Sequence, residues 1–572
     1  MNFVKKINFI LLQNSKKKLF FLFVFSIFIS FVELAGISLI IPFVAVINNH
    51  NYVFENKYMN FVYEILNMQS AFDFACLIGV FLVFYYLFRA VALIAHTYAV
   101  SKFSKLKYIQ ISQTLFFKIL HLDYVAFTNT KESDLTKSIT SDAFNVSSSL
   151  MHVLSIITEF FILIFLYALM LYADFKLTLF ISLVLLLSIV IVLKLISPKI
   201  KKCSTEKEKN QRSFFAILSQ VIGNYKIFKM SAKKQQIVQD MFRDASAKFS
   251  ASITVYDVAS QFPRLFLETI MFLMLVSVAF FILFDFENTM SDKIHILSFI
   301  MLAVYRMLPC INRILNAYNQ ILFRHKSIDI VYDIYKIKQE NFKDNEIKFD
   351  NDIRLKNLEF SYEKNTKILS DINLNIKKGS KIAIIGSSGS GKSTMIDIIM
   401  GLIVPSKNAL FVDDVCVNEN NLISWRNKIA YVPQGIYLFD TSIAENIYFG
   451  NTRDDNKIID VLKKVCMYDF VMSLKDGIET NVGSNGVKLS GGQRQRIAIA
   501  RTLYSDYDVL ILDEATSALD EKTEKAIMHE ILSSNIDQTI IIVTHRLSSI
   551  KDCDYIYEVK NGALIQKNNT QN

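Results

Sequence analysis

The sequence predicts two domains of different class: a membrane all-α domain of six helices, then an α/β domain built on a largely parallel sheet. Three observations carry this. Six windows of about 20 apolar residues, the length a helix needs to cross the hydrocarbon core, occupy the first 322 positions. After about Gln339 the apolar runs shorten and alternate with Gly and Asn punctuation. A strand-like KIAII then leads directly into GSSGSGKST, a glycine-rich loop that opens a helix.

The windows are 19–47, 75–98, 150–173, 177–197, 253–284 and 294–322. The first follows Lys16-Lys17-Lys18, as a signal peptide would. It is too long for a signal h-region, lacks a small-residue cleavage site and is followed by five more, so it reads as a span. The third and fourth windows are joined by Asp174-Phe175-Lys176, a tight hairpin outside the bilayer.

With both termini inside, the basic residues sort by side. The external connections 48–74, 174–176 and 285–293 hold only Lys57, Lys176 and Lys293, whereas 101–149 holds six and 198–250 twelve. This positive-inside bias sets the orientation and places the second domain in the cytoplasm. It also accounts for the net charge of +10 without nucleic acid. Six scattered cysteines, with no C-x-x-C pair, give neither a disulfide framework nor a metal site. At 572 residues and 52% hydrophobic, the chain is too long for one domain and too apolar for a soluble enzyme.

Between the first two windows, Tyr58, Phe61, Val62, Ile65 and Leu66 fall on one helical face of an external helix at about 57–67. Either a packed loop or a short helix lying on the outer leaflet satisfies that pattern. Residues 1–335 thus form the membrane domain, the polar stretch 336–352 reads as a linker, and 353–572 form the α/β domain, with KIAIIG, KIAYVP, DVLILD and TIIIVTH as strands.

The loop Gly386, Ser387, Ser388, Gly389, Ser390, Gly391, Lys392, Ser393 and Thr394 fits G-x-x-x-x-G-K-[ST]. Its glycines let backbone N–H groups face phosphates, Lys392 reaches the β/γ-phosphates, and the Ser393 hydroxyl is placed for Mg²⁺. Asp513, ending the strand DVLILD, can hold Mg²⁺ through water. Glu514 beside it can orient and deprotonate an attacking water. In LSGGQRQRIAIAR, Ser490, Gly491, Gly492 and Gln493 open a second phosphate-binding helix N-terminus.

This last element resembles the signature motif of ABC transporter ATPases, and the companion motifs follow in order. The resemblance implies ATP and Mg²⁺ as cofactors. It assigns Tyr362 to stacking on adenine, Gln434 to a loop that touches Mg²⁺ and water, Ser517–Asp520 to the D-loop, and His545 to a γ-phosphate contact. One P-loop and one signature motif per chain imply a homodimer with two equivalent hydrolytic sites. Two positions depart from the family: Ser484 stands where exporters usually have Glu, and PSKNALFVD lacks the usual glycine. The order of domains resembles an exporter half-transporter, with coupling helices expected near 123–134 and 210–230.

Four arginines sit in or beside the windows: Arg89, Arg264, Arg306 and Arg313. A charge at membrane depth is costly and most often faces a water-filled path. Arg306 and Arg313 share a helix face about 10 Å apart along the axis. Arg264 is expected to pair with Glu268 at i+4, and Glu33 is a further candidate partner. Two acids against four arginines leave a positive surplus, and guanidinium suits phosphate.

FVELAGISLIIPF, YYLFRA, LYALML, PRLFLE and AVYRMLPCINRI resemble the PglK-type lipid-linked oligosaccharide flippases of bacterial protein N-glycosylation. That resemblance implies ATP-driven flipping of a polyprenyl-diphosphate-linked oligosaccharide across the inner membrane. The four arginines would receive the diphosphate and the external helix the polyprenyl tail. The alternative on the same scaffold is a flippase of lipid A, another phospholipid or a hydrophobic compound. A channel that uses ATP only for gating fits poorly with hydrolysis-competent motifs, and six spans exclude a soluble ATPase acting on nucleic acid.

Overall fold

The computed structural model describes residues 5–567 except 7–8, 11–14, 49–51, 56, 67, 69, 174, 285–289, 338–344, 363–366, 406–407, 535–536 and 547–549. It also leaves out the side chains of 281–304 and of Arg306. The chain divides into two compact units, Met1–Leu122 with Asn129–Lys338, and Asp123–Thr128 with Gln339–Asn572.

Six long helices build the first unit: α1 (Lys16–Asn48), α2 (Ala71–Leu120), α3 (Ala143–Ala173), α4 (Phe175–Gly223), α5 (Ala232–Phe284) and α6 (Met290–Phe323). Each apolar window lies inside one of them. Among the described residues, four stretches are long and apolar enough to cross a membrane: Lys16–Ile40, Ala71–Leu120, Glu132–Leu171 and Thr178–Gly223. The fifth and sixth windows run into the side chains left out. The helices outlast the windows because the basic segments 101–118 and 199–223 keep good helix formers while losing apolar character. Helix α4 packs along α5, α6 along α3, and α1 against both α2 and α3. Helix α6 runs through Pro309 without a break.

Below the apolar windows, Lys137 is buried between Asp142 and Glu208, and Arg212 reaches Glu208 at 3.0 Å. Burying charge is tolerated because each ion is paired. The helix expected at about 57–67 spans Lys57–Ile65. Met59 and Tyr63 pack inward near Val53 and Phe74, while Tyr58, Phe61, Val62, Ile65 and Leu66 are all exposed. The apolar face read from the sequence is therefore the outward one.

The second unit holds two sheets. Strands β1 (Asp352–Phe360), β2 (Leu369–Lys377), β4 (Leu410–Val412) and β5 (Val415–Cys416) form an antiparallel sheet in the order β2-β1-β4-β5. The larger sheet contains β3 (Lys381–Ile385), β6 (Ile429–Val432), β7 (Val509–Asp513), β8 (Thr539–Val543), β9 (Tyr555–Lys560) and β10 (Ala563–Lys567), in the order β10-β9-β3-β8-β7-β6. It is parallel except for the edge strand β10. The four strands expected from KIAIIG, KIAYVP, DVLILD and TIIIVTH are β3, β6, β7 and β8. Their near-continuous Ile, Leu and Val content suits strands covered on both faces.

Three helices matter for the site: α7 (Lys392–Ile399), α8 (Gly491–Tyr504) and α9 (Glu521–Ser534). The only tryptophan, Trp425, is wholly buried beside α7, its Nε1–H donating to the carbonyl of Ile399 at 2.8 Å. The end of the expected linker is folded: Ile347 and Phe349 are buried in the same core as Trp425. Residues 123–128, read from sequence as membrane domain, cluster with this unit. There the short helix Tyr124–Thr128 sets Tyr124 and Val125 on that core. A second short helix, Tyr225–Lys229, falls within the other stretch expected to couple.

Candidate functional site

The order β3-β8-β7-β6 lines up the carboxyl ends of four adjacent parallel strands. Each end carries one predicted element: the loop Gly386–Thr394 after β3, His545 after β8, Asp513 and Glu514 at β7, and Gln434 after β6. Open α/β sheets bind ligands at this edge.

Gln434 Nε2 donates to Glu514 Oε2 at 2.6 Å, and His545 Nε2 lies 3.1 Å from Glu514 Oε1. Two residues from two loops thus converge on the carboxylate of a third. Glu514 has φ +47, in the left-handed region that side chains rarely adopt, and its N–H donates to the Val543 carbonyl at 2.9 Å. That bond to β8 holds the strained backbone in place.

In the glycine loop, Gly386 has φ +149, and a Cβ there would lie 2.3 Å from the Val559 carbonyl oxygen. Gly391 has φ +107 and abuts Leu369. Lys392 folds back over the loop, its Nζ donating to the carbonyls of Gly386 at 2.7 Å and Ser387 at 2.9 Å. Burial pulls the Lys392 ammonium below its usual range, partly opposed by Glu514 and Asp513. Ser387, Ser388, Gly389 and Ser393 are exposed, Thr394 is buried, and the buried Ser390 Oγ has no hydrogen-bond partner among the described residues. A helix N-terminus, a folded-back ammonium and an unspent hydroxyl suit a polyphosphate.

Asp513 accepts from the Tyr431 hydroxyl at 3.2 Å, and burial raises its carboxyl, with Glu514 adding to the effect. Ser393, Gln434 and Asp513 offer only oxygen donors of hydroxyl, amide and carboxylate type. That set fits Mg²⁺, which keeps waters and takes few protein ligands. Tyr362 is half-exposed, its ring edge-on to Phe360 at 5.0 Å.

Ser490 caps α8 in a reciprocal box: its Oγ accepts from Gln493 N at 3.2 Å, and Gln493 Oε1 accepts from Ser490 N at 2.8 Å. Gly491 and Gly492 leave room for the D-loop, since a Cβ on Gly492 would lie 3.2 Å from the Ala518 carbonyl oxygen. Gln495 Oε1 accepts from Ala518 N at 2.8 Å. Sequence reading missed two ties beside this site. Arg546 reaches Glu524 and donates to the Ser517 carbonyl at 2.8 Å. Arg501, beside the stacked rings of Phe439 and Phe449, donates to the Asn446 carbonyl at 2.6 Å. Ser484 sits in a tight turn where Asn485 has φ +51.

In the first unit, a cavity of about 390 Å³ is lined by residues of α1, α2, α3 and α6, including both Arg89 and Arg313. The Nη2 of Arg89 donates to both oxygens of Glu33 at 2.7 Å. Arg313 meets Glu159 edge to edge, Nε to Oε1 at 2.5 Å and Nη2 to Oε2 at 3.0 Å. Glu33 therefore pairs as expected, but Glu159 is an acid that the sequence reading left out. The two arginines of the cavity face two carboxylates, so the expected surplus of charge is absent between them. Arg264 is exposed outside this cavity and, among the described residues, makes no ion pair with Glu268. The i+4 spacing allows that pair, but spacing alone does not bring the two side-chain ends together. The Arg306 side chain lies outside the described residues.

Residues 19–307 match the ABC transporter transmembrane region family and 369–517 the ABC transporter family. An ATP-dependent lipid A-core flippase of Wigglesworthia glossinidia brevipalpis is 30% identical over 487 residues, 83% of this chain and 82% of that protein. Another from Pseudoalteromonas translucida is 30% identical over 79% of each chain. One from Francisella novicida is 39% identical over 246 residues, 42% of this chain and 41% of that protein. The solved structure of a bacterial Atm1-family ABC exporter with ATP bound has a TM-score of 0.79 and 19% identity, covering 97% of this chain and 96% of that one. With both halves matched and two of these relatives aligned across about four fifths of their own chains, this protein belongs to the ABC transporter family, as a multi-pass membrane protein that hydrolyses ATP to drive transport.

Proposed function

We propose that a homodimer of this chain uses ATP hydrolysis to flip an anionic, phosphate-bearing lipid from the cytoplasmic to the outer leaflet of the inner membrane, with the ATPase domains in the cytoplasm. The observation that carries this is the cavity holding Arg89 and Arg313 within a membrane domain fused to a complete ATP site. Neutral hydrophobic cargo has no use for guanidinium groups lining a membrane cavity, whereas phosphate matches their planar fork.

The relatives named lipid A-core flippases favour a phosphorylated glycolipid of the lipid A type. A polyprenyl-diphosphate-linked oligosaccharide for protein N-glycosylation is the second reading. It is favoured by the arginine set Arg89, Arg264, Arg306 and Arg313 and by the outward apolar face of Lys57–Ile65, which suits a lipid tail.

In the ATP site, Tyr362 stacks on adenine and the N–H groups of Gly386–Thr394 surround the phosphates. Lys392 exchanges its carbonyl partners for phosphate oxygens. Ser393, Gln434 and Asp513 hold Mg²⁺, which when bound neutralises charge developing on the phosphates. Glu514, steadied by Gln434 and His545, orients water and accepts its proton. Ser490, Gly491, Gly492 and Gln493 close the site on the partner subunit's nucleotide.

The test is transfer of fluorescent lipid A and of fluorescent polyprenyl-diphosphate oligosaccharide across proteoliposomes with ATP. Movement of either lipid by wild type, lost in Glu514→Gln, supports flipping and identifies the cargo. ATP hydrolysis that neither lipid stimulates, with neither lipid moved, sinks the reading.

A further inference from the structure

Resting on that anionic-lipid reading, we propose that Glu159 is a specificity-determining residue. It occupies the phosphate-binding edge of Arg313 until a headgroup with a second phosphate displaces it.

The two arginines of the cavity are held differently. Arg89 spends only Nη2 on Glu33, and among the described residues its buried Nε has no hydrogen-bond partner. Arg313 spends both Nε and Nη2, the whole edge that would grip a phosphate, on Glu159. The Glu159 side chain is 10% exposed while that of Arg313 is 55% exposed. An incoming anion can therefore reach the guanidinium, and the carboxylate is the group that must yield.

With only Nη2 spent and 20% of its side chain exposed on the cavity wall, Arg89 keeps guanidinium donors for a first, single phosphate. Taking Arg313 requires exchanging one bidentate anion for another. A dianionic phosphate that is already anchored at Arg89 can do this at high effective concentration. A lipid with one phosphate stops at Arg89. The exchange has a mechanical result, because Arg313 is on α6 and Glu159 on α3. Displacing Glu159 removes an ionic staple between two packed helices, so recognition of the second phosphate loosens the bundle. Ordinary glycerophospholipids, each with a single phosphate, leave that staple closed.

The experiment compares lipid-stimulated ATP hydrolysis and lipid binding for diphosphoryl and monophosphoryl lipid A, and for polyprenyl diphosphate, in nanodiscs of neutral lipid. Wild type should bind both lipid A forms but be stimulated by the diphosphoryl form alone. Glu159→Gln keeps the shape and removes the charge. It should let the monophosphoryl form stimulate as well, and should reduce discrimination about tenfold. Glu159→Asp, too short for the two-point grip, should fall between. Wild type stimulated equally by both lipid A forms overturns the inference even if no variant assembles. Unchanged discrimination in Glu159→Gln overturns it too, leaving Glu159 a packing partner. Wild type that responds to none of the three lipids overturns the anionic-lipid reading itself, and this inference with it.

Discussion

Gln434 donates to Glu514 across the carboxyl ends of β6 and β7 at 2.6 Å, so a residue from a neighbouring loop sets the direction of the carboxylate. His545 meets the other oxygen of the same group. Removing the charge while keeping the shape separates binding from chemistry. Glu514→Gln should lower ATP turnover by about 10²–10⁴-fold with ATP binding retained. Gln434→Ala and His545→Ala should each reduce turnover, and the double variant should lose less than the product of the two, because both act through one carboxylate. Steady-state hydrolysis and nucleotide binding on the four proteins check this; full additivity would mean that the two side chains act independently.

The glycine loop gives a paired test of steric need. Gly386→Ala puts a Cβ 2.3 Å from the Val559 carbonyl oxygen. It should cost about 2–4 kcal/mol and abolish ATP binding. Gly389 has φ +78 but nothing within 4 Å of an added Cβ. Gly389→Ala should cost only about 1 kcal/mol, the penalty of the left-handed backbone. Thermal melts with and without ATP distinguish the two, and equal effects would contradict the geometry.

Arg501 ties α8 to the short helix Ile443–Tyr448. Besides its bond to the Asn446 carbonyl it reaches the Asn446 side chain at 2.6 Å and the Tyr437 carbonyl at 3.2 Å. Lysine keeps the charge but cannot span these three acceptors. Arg501→Lys should destabilise the ATPase domain by about 2–4 kcal/mol, with Arg501→Ala no better. Denaturant unfolding measures this, and a loss below 1 kcal/mol would count against it.

Asp397, on α7, supplies a pH signature. Burial pushes its carboxyl up to about 6, with Asp513 adding to the effect. The raised value means that the fold favours the neutral acid. The associated stability is present below the unfolded value of 3.8 and is lost as pH rises through about 6. Asp397→Asn should therefore stabilise the domain at pH 7.5, by about 1–3 kcal/mol after allowing for its partial exposure, and should change little at pH 4. Calorimetry across that range reads the difference; a gain of equal size at both pH values would mean that the titration is not responsible.

Much of the ATPase domain was legible because its chemistry is local. A strand, a glycine loop and a helix follow one another within residues 381–399, and the parallel sheet brings Gln434, Glu514 and His545 together once each strand is recognised. The membrane cavity was harder to read. Glu33 and Arg89 were visible as isolated charges in apolar runs, yet Glu159 carried the same signal in SIITEFF and went unread. Its partner Arg313 is 154 positions away, and only the packing of α3 against α6 joins them. Arg501 and Arg546 were missed for a related reason: their acceptors are mostly backbone carbonyls far away in sequence, which no side-chain pattern announces. Arg264 errs the other way, since helical spacing permits a pair that the structure does not form.

The burial of Trp425 has a practical consequence. It is the only indole in 572 residues, and it sits against the helix that begins at Lys392. Ultraviolet emission excited at the red edge of tyrosine absorption therefore reports on the ATPase core alone, in the intact protein and in lipid. The membrane helices, for all their Phe and Tyr, stay dark at that wavelength. Unfolding of the ATPase half can be followed in the intact transporter without a label and without cutting the chain.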